Sequence, residues 1–204
     1  MKTSNYILSA FFIFVTISIF ALFISARNYS SEYIFINKQY DLDNINVIIA
    51  EDLTINIYIQ TSDKNYLSVN FPKNEPEPED FYRVSNDTLF IYDLAYQNRI
   101  ITANNDIYVK NISSIVAKNS QVIHFRNFYS DKLYINTTNS NINFNKSSIK
   151  ESFIQADKSH ISVHETVLTS LIAELSNKSV FSGKLKDTNK INLKKDQNSR
   201  ITVY

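Results

Sequence analysis

The sequence predicts an all-β chain, a single β-solenoid with coils of about twenty residues, preceded by one N-terminal transmembrane helix. Three observations predict it. Residues 4–26 form an uncharged, mostly apolar run. Beyond it, apolar and polar residues alternate with the period of strands, in a chain rich in Ile, Tyr and Phe. A phrase of Asn or Lys, then Ser, then two alternating apolar positions also returns along the second half, with its serines spaced 20, 19, 20 and 20 apart.

The apolar run reads “YILSAFFIFVTISIFALFISA”. At about 1.5 Å per residue, roughly twenty-one residues span about 30 Å, the hydrocarbon thickness of a bilayer. Lys2 precedes it and Arg27 follows, so charge gives little orientation. A cleaved signal peptide needs a shorter apolar core and small residues at the cut. Cleavage after Ala26 would leave Ile24 at the third position back. An uncleaved signal anchor over residues 1–27 is therefore expected, with a cleaved signal as the alternative. Residues 28–39 read as a stalk or first strand, and 40–204 as the solenoid domain.

Within that domain, “INVIIA” (45–50), “LTINIYI” (53–59) and “YLSVNF” (66–71) read as strands separated by the turns “AEDL” and “TSDKN”. The segment “PKNEPEPED” (72–80) holds all three prolines and is expected to be a solvated loop. “DTLFIYDL” (87–94) resumes the strand pattern. The repeating serines are Ser120, Ser140, Ser159, Ser179 and Ser199. The apolar pairs that follow them are Ile123/Phe125, Ile142/Phe144, Ile161/Val163, Phe181/Gly183 and Ile201/Val203. A looser set precedes each turn: Ile115/Ala117, Leu133/Ile135, Ile154/Ala156, Leu171/Ala173 and Ile191/Leu193. A fixed period with two-residue alternation stacks strand on strand, so inward residues pile into columns about 4.8 Å apart. The strands are short because the chain turns a corner every few residues. Gly occurs once, at Gly183, so Asn and Asp are expected to hold the left-handed corner positions. Stacked corner Asn side chains can also bond one another. An antiparallel sandwich is the alternative, but its hairpins need not repeat one phrase in register.

These residues resemble the GIN-domain family of envelope proteins (“head GIN domain”). The resemblance runs through “YDLDNINVIIAEDLTINIYIQTSDKNYLSV” (40–69), “SNDTLFIYD” (85–93) and the serine repeats of 115–203. It departs from the family in lacking nearly all the corner glycines. The resemblance implies a β-solenoid in a Gram-negative envelope, inner-membrane anchored with its domain in the periplasm, or secreted if the signal is cut. It implies an adhesin-like role and no catalytic residue.

Composition narrows the chemistry. There is no Cys, which excludes disulfides, thiolate metal sites and Cys nucleophiles. A net charge of +1 argues against a general nucleic-acid binder. His160 and His164 would lie about 13 Å apart on one strand face, too far to share a metal ion, and His124 stands apart. Glu151, Asp157, Glu165 and Glu174 do not recur in register, while Asp131 and Lys132 fall at an expected corner. Phosphate loops, dinucleotide fingerprints and the Gly-x-Ser-x-Gly elbow are missing. Six Asn-x-Ser/Thr sites, Asn136 and Asn177 among them, matter only with a eukaryotic secretory path.

The expected protein is therefore not an enzyme, and no cofactor or metal is expected. Tyr58, Tyr92, Tyr108 and Tyr134 are candidates for stacking on sugars. Lys184, Lys186, Lys190 and Lys194 belong to a basic C-terminal third suited to anionic glycan or lipid headgroups. The chain stops at “RITVY” inside a repeat, which makes Ile201, Val203 and Tyr204 a candidate assembly end. Expected partners are the membrane and a glycan or envelope protein, with a homo-oligomer through the solenoid end as the scaffold alternative. A carbohydrate-active enzyme is the remaining alternative.

Overall fold

A computed structural model describes residues 2–29, 35–73, 80–92, 105–185 and 187–204. The chain divides into two compact units, one containing the helix α1 (Lys2–Tyr29) and one containing the strands from Ile36 onward. In α1, Phe11, Phe12, Phe14, Phe20 and Phe23 are all exposed. Residues 9–25, all described, cover about 25 Å at 1.5 Å per residue, against the ~30 Å of a bilayer core. Among the described residues no helix is long and apolar enough to cross a membrane. The expected span is thus a helix, but a crossing is not shown.

The second unit is all β. Its strands are β1 (Phe35–Asp41), β2 (Val47–Glu51), β3 (Ile57–Thr61), β4 (Tyr66–Pro72), β5 (Tyr82–Ser85) and β6 (Thr88–Ile91). There follow β7 (Asn105–Val109), β8 (Ser114–Lys118), β9 (Val122–Arg126), β10 (Tyr129–Thr138), β11 (Asn141–Asn145) and β12 (Ser148–Asp157). The last are β13 (His160–His164), β14 (Val167–Ser176), β15 (Val180–Gly183), β16 (Lys190–Lys195) and β17 (Arg200–Val203). They form a nine-stranded sheet, β1-β4-β7-β3-β9-β11-β13-β15-β17, and an eight-stranded sheet, β16-β14-β12-β10-β8-β2-β6-β5. Each coil lays one strand in each sheet, parallel to its counterparts in the coils beside it. This is the expected solenoid.

The inward columns explain the alternation. Ile123, Ile142, Ile161, Phe181 and Ile201 stand in one register, and Phe125, Phe144, Val163, Gly183 and Val203 in the next. Phe125 and Phe144 stack with centroids 4.7 Å apart. Gly183 is the one glycine because a Cβ there would lie 2.3 Å from the Val163 carbonyl oxygen, and its φ is 151°. In the eight-stranded sheet the column is Ile115, Ile135, Ile154, Ala173 and Leu193, and Leu133 lies with Ser152, Leu171 and Ile191. The looser sequence column therefore slipped by two residues at Leu133, Leu171 and Ile191. A two-residue slip preserves the inward face, so alternation cannot detect it.

Both corners use left-handed residues. Before the serine column these are Asn119 (φ 50°), Asn139 (49°), Lys158 (50°) and Lys178 (72°). The opposite corner has Asn127 (47°), Lys146 (50°), Glu165 (46°) and Asp187 (53°). Asn and Asp do replace Gly, and Lys and Glu join them at a cost of about 1–2 kcal/mol each. Hydrogen bonds offset that cost. The Ser140 hydroxyl accepts from the Ser120 N–H at 2.9 Å and donates to the Thr138 carbonyl at 2.9 Å. Ser159 and Ser179 accept in the same way from the Ser140 and Ser159 N–H groups, at 3.2 and 3.1 Å. The opposite corner has its own ladder, in which Ser147 accepts from Phe128 N–H and Thr166 from Ser147 N–H. The expected Asn ladder is also present: Asn139 donates to Asn119 at 3.1 Å, and Asn119 to Asp52 at 2.9 Å.

A third bend lies within the long strands. The ladder skips Asp131, Lys150 and Thr169, so Asp131 does sit at a bend, where it pairs with Lys150 at 2.7 Å.

The N-terminal end departs from simple succession. β2 lies between β6 and β8, and β3 between β7 and β9. The first coil is thus enclosed by one made later on each side. Antiparallel β4 on β7, antiparallel β5 on β6, and β1 beside β4 close that end. β5 and β6 join through Asn86 (φ 48°) and Asp87 (φ 57°), two left-handed residues that match the twist of a tight hairpin. β5 and β7 were not anticipated from the sequence. The expected loop 72–80 lies outside the described residues over 74–79.

Candidate functional site

The outer faces of the two sheets differ because the residues between inward positions differ. On the nine-stranded sheet the outward rows are mostly polar, with His124 beside Asn143 and Ser162 and Arg126 beside Asn145. Its rings form closed pairs. Tyr66 stacks on Tyr108 with centroids 4.3 Å apart, and Tyr58 on His124 at 4.7 Å. The Arg126 guanidinium lies 3.9 Å from the Tyr58 ring centre. Burial raises the Asp106 carboxyl above its usual range, opposed by Arg126 and by the hydrogen bond from Gln60. Burial lowers the His124 pKa, and the nearby Arg126 charge lowers it further.

The eight-stranded sheet carries a different pair of rows. One row runs Ser114, Tyr134, Phe153, Ile172 across β8, β10, β12 and β14. The row beside it runs Val116, Asn136, Gln155, Glu174, Lys194. Tyr134 and Phe153 stack with centroids 4.8 Å apart. The Lys132 ammonium lies 5.1 Å from the Tyr134 ring centre and 5.3 Å from that of Phe153. Beyond Tyr134, which is 42% exposed, stands the small side chain of Ser114. A groove of about 310 Å³ opens there, between the aromatic row and the amides of Asn136 and Gln155. A second groove of about 250 Å³ shares Asn136, Gln155 and Glu174. Lys194 bonds Glu174 at 3.3 Å and borders the row.

The candidate residues are thereby scattered. Tyr134 and Lys194 share the grooved face. Tyr58 and Tyr108 lie on the opposite sheet, with ring faces taken by His124, Arg126 and Tyr66. Tyr92 is exposed just past β6. Lys190 is on β16, Lys184 follows β15, and Lys186 lies outside the described residues. Ile201, Val203 and Tyr204 stand together at the last coil. Sequence reading missed Phe153 and Gln155, and took Asn136 only as an Asn-x-Ser/Thr site and Glu174 only as an acid out of register. Their signal was the outward residue next to each inward one, visible only once the two-residue slip is corrected. His160 and His164 face outward, as expected. Among the described residues no group of three metal-ligating side chains forms.

What the face can do follows from its parts. A ring with one open face accepts the apolar side of a flat ligand, and fixed amides hold hydroxyls. Their repeat at the strand spacing of about 4.8 Å suits an extended ligand. Among known proteins, no family model matches the chain, and no curated relative matches. Several solved structures are loosely similar. A “putative adhesin” from Bacteroides fragilis is 15% identical over 86% of this chain and 98% of its own, with a TM-score of 0.47. Another from Parabacteroides distasonis is 11% identical over 83% and 97%, with a TM-score of 0.46. A “putative lipid binding protein” from the same species is 13% identical over 83% and 96%, with a TM-score of 0.31. No family model shows a GIN domain, so that expectation stands as a resemblance; among the described residues the chain is a β-solenoid with one helix.

Proposed function

We propose that this chain is a non-catalytic, adhesin-like binding protein of the cell envelope. Residues 4–26 anchor it in a membrane, and the outer face of the eight-stranded sheet takes an extended glycan. One observation carries the reading: the stacked Tyr134–Phe153 pair runs beside the amides of Asn136 and Gln155 along an open groove. A pyranose can set its C–H face against Tyr134 and turn its hydroxyls toward the amides. Lys132 and Lys194 would favour anionic sugars, and salt should weaken their share.

A glycan array probed with the full chain tests this. Binding should fall at least about tenfold when Tyr134→Ala and Phe153→Ala are combined, a loss of roughly 1.4 kcal/mol. Tyr58→Ala, on the other sheet, should leave it unchanged. Silence on every glycan, or equal loss in both variants, overturns the glycan assignment. The anchor is tested alongside: the chain should sediment with membranes and be released when residues 4–26 are removed.

A further inference from the structure

Three neighbouring strands of the eight-stranded sheet lack the alternation of a sheet with one wet face. β6 contains Leu89-Phe90-Ile91, β2 Val47-Ile48-Ile49-Ala50 and β8 Ile115-Val116-Ala117. Alternate residues of each run are in the core. The others, Phe90, Val47, Ile49 and Val116, point outward and are half-buried. Runs that are apolar at every position mark strands covered on both sides. The inner cover is the opposing sheet. Every described strand belongs to one of the two sheets, so no third layer of strands covers the outside. The nine-stranded sheet keeps the alternation: the matching outward positions on β7, β3 and β9 hold Asp106, Tyr58 and His124 in one row, with Tyr108 and Gln60 in the next.

Register sets Phe90, Ile49 and Val116 in one row that runs straight on into Asn136 and Gln155. A ligand lying across the strands therefore meets aliphatic side chains and then amides along a single line. Arg83, its guanidinium 4.8 Å from the Phe90 ring centre, ends the row. Size narrows the occupant. Three strands about 4.8 Å apart and two rows about 6.6 Å apart make a patch of roughly 200 Å². Each partner of a stable protein interface buries about 800 Å². Chemistry narrows it further, because Val and Ile offer a sugar neither a ring face nor a hydrogen bond. An alkyl chain needs neither. Resting on the glycan reading above, we propose that the ligand is a glycolipid. Its sugars lie on Tyr134, Phe153 and the two amides, and a chain attached at one end runs from Val116 over Ile49 toward Phe90. Removing that chain and the stripe from water supplies the chain's share of the affinity.

The test is a glycan array probed with the full chain in lipid nanodiscs. Each sugar is printed on a bare polyether spacer and again with an octyl segment between sugar and spacer. Sugars that bind should bind at least about tenfold tighter in the octyl form, the equivalent of roughly two buried methylene groups. Ile49→Gln combined with Val116→Gln should erase that advantage. The same variant should keep the signal on the bare spacer, which also shows that it folds. Tyr134→Ala with Phe153→Ala should weaken both forms. Equal binding of the two forms, or an advantage that survives the Gln substitutions, overturns the glycolipid and leaves the glycan reading standing. Octyl spots without sugar that bind as tightly as octyl sugars, or silence on every spot, overturn both.

Discussion

Ser140 shows how one side chain holds two coils. The residue is 2% exposed, and its hydroxyl accepts from the coil before and donates within its own. Ser140→Ala leaves the Ser120 N–H unmatched in a dry corner, while the Thr138 carbonyl keeps the Asn119 N–H at 3.0 Å. The expected loss is about 1–3 kcal/mol, read as a lower urea midpoint at unchanged slope. His124 gives a second residue-scale expectation. Burial and Arg126 depress its folded pKa below the unfolded value. Its contribution is therefore present above about pH 6.5 and lost as pH falls through the lowered folded value. His124→Phe keeps a ring beside Tyr58 and should remove that part of the acid sensitivity in pH-dependent melts; an unchanged pH profile would discount His124 as its source. The serine column was legible because small buried hydroxyls recur at a nearly constant interval. The second ladder, Ser147 and Thr166, was not: it has only two described members, of two residue types, among charged neighbours.

At the scale of the strand, alternation told which side chains point inward. It did not fix which coil-mates meet, because a slip of two residues costs nothing in polarity. Each long strand has three inward positions in a row (Leu133, Ile135, Thr137; Ser152, Ile154, Ala156; Leu171, Ala173, Leu175), so a reading of two can settle on either pair. β7 escaped notice since its inward Asn105 breaks the apolar rhythm, although Ile107 and Val109 keep it. The grooved face was illegible for a related reason. Tyr134, Phe153 and Ile172 look like ordinary strand aromatics and aliphatics until the register aligns them in one row.

For the whole molecule, stability is close to a sum of rungs and the contacts between successive rungs. The inner coils β10–β15 have a neighbour on both sides, whereas β16–β17 have one. Amide exchange should therefore be fastest in β16 and β17 and slowest in β10, β12 and β14. Uniform protection across all coils would mean that the solenoid opens only as a unit.

The enclosed first coil has a consequence for biosynthesis. As the polypeptide leaves the ribosome, residues 47–61 emerge before either of their sandwiching layers has been made. One layer arrives with residues 88–109 and the other only with 114–126. A nascent chain halted before that point leaves a greasy rung uncovered, so maturation has to wait for a middle segment rather than follow the order of synthesis.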